Sequence, residues 1–258
     1  MRQVLVATGA IPTEVAGESL GLGGECYGVV QRVGAAVPSG IGGVSVGERV
    51  VCVPPAGMGS VLVTHSRWVS RAPAGTSAEV AVAGTMAYAT AWLGLHMQAR
   101  VRAGDAVLIH SAAGGVGLAA VHLALRAGCV VYATASTPAK VELLLSIGVT
   151  AVFNSRSTVN FSEGVRTATG GAGVDVVLNS LAGEGIEASV ALLKPYGILV
   201  ELGKRDGYEG NAMSLAPFLR AVTCEQWRSS NTLQQLHPPA SRPTLPLVRL
   251  PHDRGRAQ

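Results

Sequence analysis

Apolar and polar positions along this chain fall into two rhythms. Between Asp105 and Lys140, unbroken apolar runs of strand length alternate with helical spacing. Residues 106–110 and 130–133 are the runs, read as buried strands. Between them Val116, Ala119, Ala120, Leu123 and Ala124 recur at helical spacing, and Gly128 closes that helix. The rhythm continues downstream. A helix begins at Pro138, where a missing N–H does no harm, shows Val141, Leu144, Leu145 and Ile147 on one face, and ends at Gly148. Strands are predicted at 149–153, 174–179 and 198–202, and helices at 161–169 and 186–193. Five strands alternating with helices predict a parallel sheet covered on both faces.

The first 77 residues have a different texture. Short β-branched runs at 4–7, 27–33, 48–53 and 60–64 alternate with Gly and Pro, which predicts a small β-barrel or open sandwich. Residues 78–95 are small and helical in pattern. Residues 224–258 hold five prolines and five arginines without an apolar period, and disorder is predicted there.

The chemistry concentrates in the first turn of the α/β part. Residues 111–117 (SAAGGVG) join a strand to a helix, with glycine at 114, 115 and 117. Glycines let the main chain approach a pyrophosphate, and the helix N-terminus offers free N–H groups and a positive dipole end. Ala113, Gly114, Gly115, Val116 and Gly117 are therefore candidate cofactor contacts. The next strand end selects the cofactor. A site for NAD places an acid there to hold the ribose hydroxyls. Residues 132–140 (YATASTPAK) contain none, and Ser136 and Lys140 offer a hydroxyl and a cation suited to a 2′-phosphate. A lysine at a helix N-terminus opposes the dipole, which favours a functional reading. NADPH is the cofactor expected.

Composition narrows the rest. The chain has 258 residues, 48% hydrophobic and 14% charged, with 33 glycines, as expected of a globular α/β protein. Five arginines against Glu225 and Asp253 give residues 224–258 three of the four net positive charges, so the basic balance is no sign of nucleic-acid binding. No run of ~20 apolar residues is present to cross a membrane, and no secretory signal is read at the start. Cys26, Cys52, Cys129 and Cys224 form no CxxC pair. That pattern fits a reducing, cytoplasmic setting and argues against a zinc cluster.

Residues 22–33 (LGGECYGVVQRV), 109–117 (IHSAAGGVG), 132–140, 170–182 (GGAGVDVVLNSLA) and 201–206 (ELGKRD) together resemble the enoyl reductase domain of type I polyketide and fatty acid synthases. That domain lies in the zinc-free branch of the medium-chain dehydrogenase/reductase superfamily, close to the quinone oxidoreductases. The resemblance runs from about residue 2 to 223. It implies a GroES-like substrate domain over 1–80, incomplete at its N-terminal end. It implies a Rossmann doubly wound domain over 81–223, followed by the disordered tail at 224–258. It also implies NADPH reducing the 2,3-double bond of an enoyl thioester on an acyl carrier protein, beside neighbouring synthase domains. Hydride goes to the β-carbon and a proton to the α-carbon.

By the same resemblance Lys204 is the candidate catalytic residue, a proton donor or oxyanion stabiliser after its strand. Asn179, Ser180 and Gly203 are placed near the nicotinamide, and Thr90 matches a family Thr-Ala in the interdomain helix. Ile11 stands before Pro12 where many bacterial members carry a tyrosine donor. Gly24-Glu25-Cys26 lacks the histidine of the zinc-dependent relatives, so no metal is expected. Family members have further strands before the position of Met1 and after that of Thr223, so weak turnover is expected of this chain. Two alternatives remain: a stand-alone NADPH quinone or enone reductase, and a degenerate NADPH-binding module.

Overall fold

The computed structural model describes residues 4, 8, 23–35, 37, 44–53, 58–226 and 247–249. Its strands and helices, in chain order, begin with β1 (Cys26–Arg32), β2 (Arg49–Cys52), β3 (Val61–Val63) and β4 (Val69–Arg71). Helix α1 (Ala78–Trp92) runs into a π-helical turn, Leu93–Gln98. Then come β5 (Ala106–Ile109), α2 (Gly115–Arg126), β6 (Val130–Ala135), α3 (Pro138–Ser146), β7 (Ala151–Asn154), α4 (Thr158–Ala168) and β8 (Val174–Asn179). The chain continues through α5 (Glu184–Ala191), β9 (Leu193–Glu201), α6 (Arg205–Glu209), β10 (Thr223–Gln226) and β11 (Leu247–Arg249).

Two units result, one of residues 1–86 and 236–258 and one of residues 87–235. The first holds an antiparallel sheet in the order β3-β11-β1-β2-β4. Strand β1 alternates buried and half-buried residues, as a strand with one covered face does. Its Cys26 and Val30 pack with Val50, Cys52 and Val69. The second unit holds a parallel sheet in the order β10-β9-β8-β5-β6-β7. Successive residues of one strand serve opposite faces. Val107 and Ile109 meet Ala120, Val121 and Ala124 of α2 on one side, while Leu108 meets Phe161, Val165 and Val190 on the other. Apolar residues on both faces are why these strands read as continuous runs rather than alternating ones.

Several expectations are corrected. The tail is not wholly without regular structure: Cys224–Gln226 belongs to a strand parallel to β9, and Leu247–Arg249 pairs between β1 and β3. Backbone groups make those ladders, and a strand of three or four residues leaves no apolar period to read. The remainder of the tail lies outside the described residues. The boundary expected at residue 80 falls within α1, and the two compact units meet in the sequence at Met86. Of the strand expected at 4–7 only Val4 is described, and the Thr8 N–H closes on the Val4 carbonyl at 2.9 Å, a helical turn. The strand β4 was not foreseen. Helix α4 starts at Thr158 rather than 161, because the Ser157 hydroxyl accepts the Asn160 N–H and caps it. The helix expected to reach 193 stops at Ala191, and β9 begins at Leu193, five residues before the strand expected at 198–202.

Candidate active site

From β5 the sheet steps one way to β6 and β7 and the other way to β8, β9 and β10. The carboxyl ends of β5 and β8 thus flank the switch point of the sheet, the place where open α/β sheets bind ligands. The glycine loop sits there. Ser111 adopts φ +52°, an uncommon value for a residue with a side chain. Its carbonyl accepts the Gly114 N–H at 2.9 Å, and its N–H donates to Thr134 Oγ1 at 3.2 Å. Helix α2 then starts at Gly115 with no side-chain cap. The first N–H groups of a helix have no intrahelical acceptor, so those of residues 115–117 are available to an anion. Gly114 and Gly115 are exposed, Ala113 and Val116 half-buried. Gly117 is buried, because a Cβ there would lie 2.4 Å from the Ser111 carbonyl oxygen.

A buried chain of hydrogen bonds supports the loop from beneath. Ser189 Oγ spends its one proton on the Gly185 carbonyl at 2.6 Å. It must therefore accept from His110 Nε2 at 2.9 Å, and His110 Nδ1 accepts the Thr134 hydroxyl at 3.1 Å. His110 is thus a neutral Nε2–H tautomer, edge-on to Phe161. Burial lowers its pKa to about 3.

The expected adenosine end lies at β6. Ser136 is half-buried just past that strand, and Lys140 is exposed in the first turn of α3. The register adds a residue that sequence reading missed. Ala135 pairs with Asn154, the Ser155 N–H donates to the Ala135 carbonyl at 3.0 Å, and exposed Arg156 follows. Arg156 therefore leaves the same end of the sheet as Ser136. The available signal was that residues 154–160 also contain no acid.

Across the switch point, Ser180 Oγ donates to Ser111 Oγ at 3.0 Å, joining the β8 end to the glycine loop. Asn179 is fully buried. Its amide donates to the Leu181 carbonyl at 3.0 Å and to the Glu201 carboxylate, and its oxygen accepts the Leu181 N–H at 3.2 Å. It therefore presents no surface to a ligand here. Glu201, part of the 201–206 motif but not singled out there as a site residue, accepts the Gly203 N–H on its other oxygen. Burial pushes its carboxyl above the usual range, against the bonds from Asn179 and Gly203, while Asp206 adds to the rise. Lys204 is exposed and precedes α6. Asp206 of α6 takes the Gly183 N–H at 3.0 Å. The Asn211 amide, before that bond, holds the Asp206 carboxyl below its usual range. Thr90, nearly buried in the last turn of α1, has no hydrogen bond to the glycine loop among the described residues.

The comparisons with known proteins agree with this arrangement. A family model described as zinc-binding dehydrogenase matches residues 115–235. The chain is 36% identical to the CurK enoyl reductase of known structure, covering 91% of this chain and 70% of that one at a TM-score of 0.80. This chain belongs to the enoyl reductase family. The family sits in the zinc-free branch of the medium-chain dehydrogenase/reductase superfamily, with a Rossmann unit and a GroES-like unit. The chain is also 44% identical over 221 residues to the phthioceranic/hydroxyphthioceranic acid synthase of Mycobacterium tuberculosis H37Rv. That match takes in 85% of this chain but 10% of the synthase, so the chain spans about a tenth of its relative's length. Mycobacterial Rv1454c, solved complexed with NADPH, is 27% identical over 91% of this chain and 70% of its own, at a TM-score of 0.73.

Among the described residues no three His, Cys, Asp or Glu side chains converge on a metal position. The paired Cys26 and Cys52 are buried opposite one another in β1 and β2. Their mutual thiol hydrogen bond, reinforced by burial, raises the Cys52 pKa far above the usual thiol range. No helix among the described residues is long and apolar enough to cross a membrane.

Proposed function

We propose that this chain is the NADPH-dependent enoyl reductase part of a polyketide or fatty acid synthase, reducing the 2,3-double bond of an enoyl thioester borne on an acyl carrier protein. The observation that carries it is the switch point between β5 and β8, with an uncapped glycine helix start after β5, Ser180 after β8, and no acid at the β6 and β7 ends. NADPH, when bound, supplies hydride to the β-carbon of the substrate. The N–H groups of residues 115–117 hold the pyrophosphate against the positive end of α2. Ser136, Lys140 and Arg156 bind the 2′-phosphate, which two cations recognise where a carboxylate would repel it. Ser180 holds the β8 end beside the ribose, and Asn179 keeps that turn in shape. Lys204 stabilises the enolate oxygen and delivers the proton to the α-carbon; an ammonium aimed at developing negative charge acts in that way. The enolate protonated there carries no tyrosine donor from position 11, which is Ile11.

The test follows NADPH consumption by the purified chain with crotonyl-pantetheine and, separately, with a free quinone. Thioester-dependent oxidation that favours NADPH over NADH is expected, and a preference for the quinone would overturn the synthase assignment. Lys140→Ala and Arg156→Ala should each lower the NADPH preference about tenfold, the scale of one charged hydrogen bond. Lys204→Ala should lower kcat while leaving NADPH affinity unchanged.

A further inference from the structure

Resting on that reading, we infer that Glu201 is the positioning residue of the reduction site, setting the turn that presents Lys204. Its carboxylate reaches in two directions. One oxygen takes the Asn179 amide from β8, and the other takes the N–H of Gly203, two residues ahead in its own chain. An ionised carboxylate has only acceptors, so it serves two donors at once; no neutral side chain of that length offers two equivalent oxygens. Gly203 carries the mark of this arrangement. A Cβ at 203 would lie 2.6 Å from Glu201 Oε1 and 3.6 Å from the Leu181 carbonyl oxygen. A side chain at 203 would therefore push the carboxylate away from the Gly203 N–H.

The same turn is held from the other side of the sheet. Gln226 of β10 donates its amide to the Gly203 carbonyl at 2.9 Å and to the Glu201 carbonyl at 3.4 Å. The Leu202 N–H donates to the Asn179 carbonyl at 2.9 Å. Residues 201–203 are thus clasped by β8 and β10 together, and Lys204 leaves from a fixed point. One carboxylate and the amide of Gln226 together fix the turn that leads into the candidate catalytic lysine. A carboxylate serving only to solubilise the surface would be solvated. Glu201 instead tolerates the partial burial that raises its pKa. Its role is to fix main-chain geometry for turnover, not to touch the nucleotide.

The experiment uses the full chain with Glu201→Gln, Glu201→Ala, Asn179→Ala and the double variant Glu201→Gln with Asn179→Ala. A glutamine accepts on one oxygen only, so it must release either Asn179 or Gly203. With Asn179 replaced by alanine, the glutamine oxygen has only the Gly203 N–H to serve and keeps it. Three quantities are measured: kcat with crotonyl-pantetheine, NADPH affinity by fluorescence, and hydrogen exchange of the peptide over residues 199–206. Glu201→Gln should lower kcat about tenfold and speed exchange by a similar factor, as loss of one charged hydrogen bond implies. NADPH affinity should stay within about threefold of wild type. In the Asn179→Ala background, Glu201→Gln should therefore add little further loss, a coupling that general destabilisation does not produce. Unchanged exchange in Glu201→Gln, or NADPH affinity falling as far as kcat, would overturn the inference. A wild-type chain inactive on the thioester would instead overturn the reductase reading. The hydrogen-exchange data on Glu201→Gln, Asn179→Ala and the double variant would then decide the positioning role by themselves.

Discussion

At the scale of single residues, His110 accounts for a distinct pH response. Native His110 stays neutral down to about pH 3, because burial opposes the imidazolium. In the unfolded chain an ordinary histidine takes up its proton near pH 6.5. The unfolded state therefore binds the extra proton between those values, and stability falls as pH drops from about 6.5 towards 3. Above about 6.5 this group contributes no slope. The groups facing it are Thr134, Ser189 and Phe161, none of which titrates in that window. Urea unfolding of His110→Gln across this range should show the pH slope reduced by about one proton, or ~1.4 kcal/mol per pH unit. At neutral pH the same substitution should cost ~1–3 kcal/mol, since Thr134 or Ser189 is left without its partner. An unchanged slope would mean that the ring is protonated in the native protein.

At the scale of elements, the start of α2 separates fold from ligand. Gly117 faces main-chain atoms of residues 111 and 112, the nearest 2.4 Å from a Cβ placed there, whereas nothing lies within 4 Å of one on Gly115. Gly117→Ala should therefore lower stability by ~1–3 kcal/mol through overpacking against backbone that cannot yield, and NADPH affinity should fall with it. Gly115→Ala should leave stability within ~0.5 kcal/mol, as substitutions in open positions do. It should still weaken NADPH binding, because the new methyl stands where the main chain must approach the pyrophosphate. Thermal melting together with NADPH titration separates the two cases. Equal melting losses in both variants would contradict the placement of the loop.

For the whole molecule, the important feature is that the first sheet is closed by two distant parts of the chain. Strand β3 is paired only with β11 among the described residues, and β11 also covers β1. Deleting residues 236–258 should remove that ladder and leave an open strand edge on β1, a site for self-association. Hydrogen exchange at residues 61–63 should rise sharply while residues 106–109 and 174–179 keep their protection. Retained protection at 61–63 would show that β3 has another partner. In the wild type, NADPH at a hundred times its Kd should raise the free energy of unfolding by ~2.7 kcal/mol, read from urea titrations.

The parallel α/β order of residues 105–202, the glycine loop and the absence of an acid after β6 were all legible in the amino-acid sequence. Each depends on local facts: strands buried on both faces are apolar throughout, helices repeat at their own period, and a turn at close quarters needs glycine. The resemblance carried by residues 170–182 and 201–206 extended that reading to the chemistry. Only the tertiary structure decided which residues meet across strands. Register brought Arg156 beside the end of β6, placed Glu201 against Asn179 and set Cys26 opposite Cys52. It also drew Leu247–Arg249 into the first sheet and showed Asn179 to be spent on its own turn. Periodicity records which face of an element is buried. It holds no record of the partner across a ladder, because backbone hydrogen bonds join residues distant in the chain without regard to their side chains.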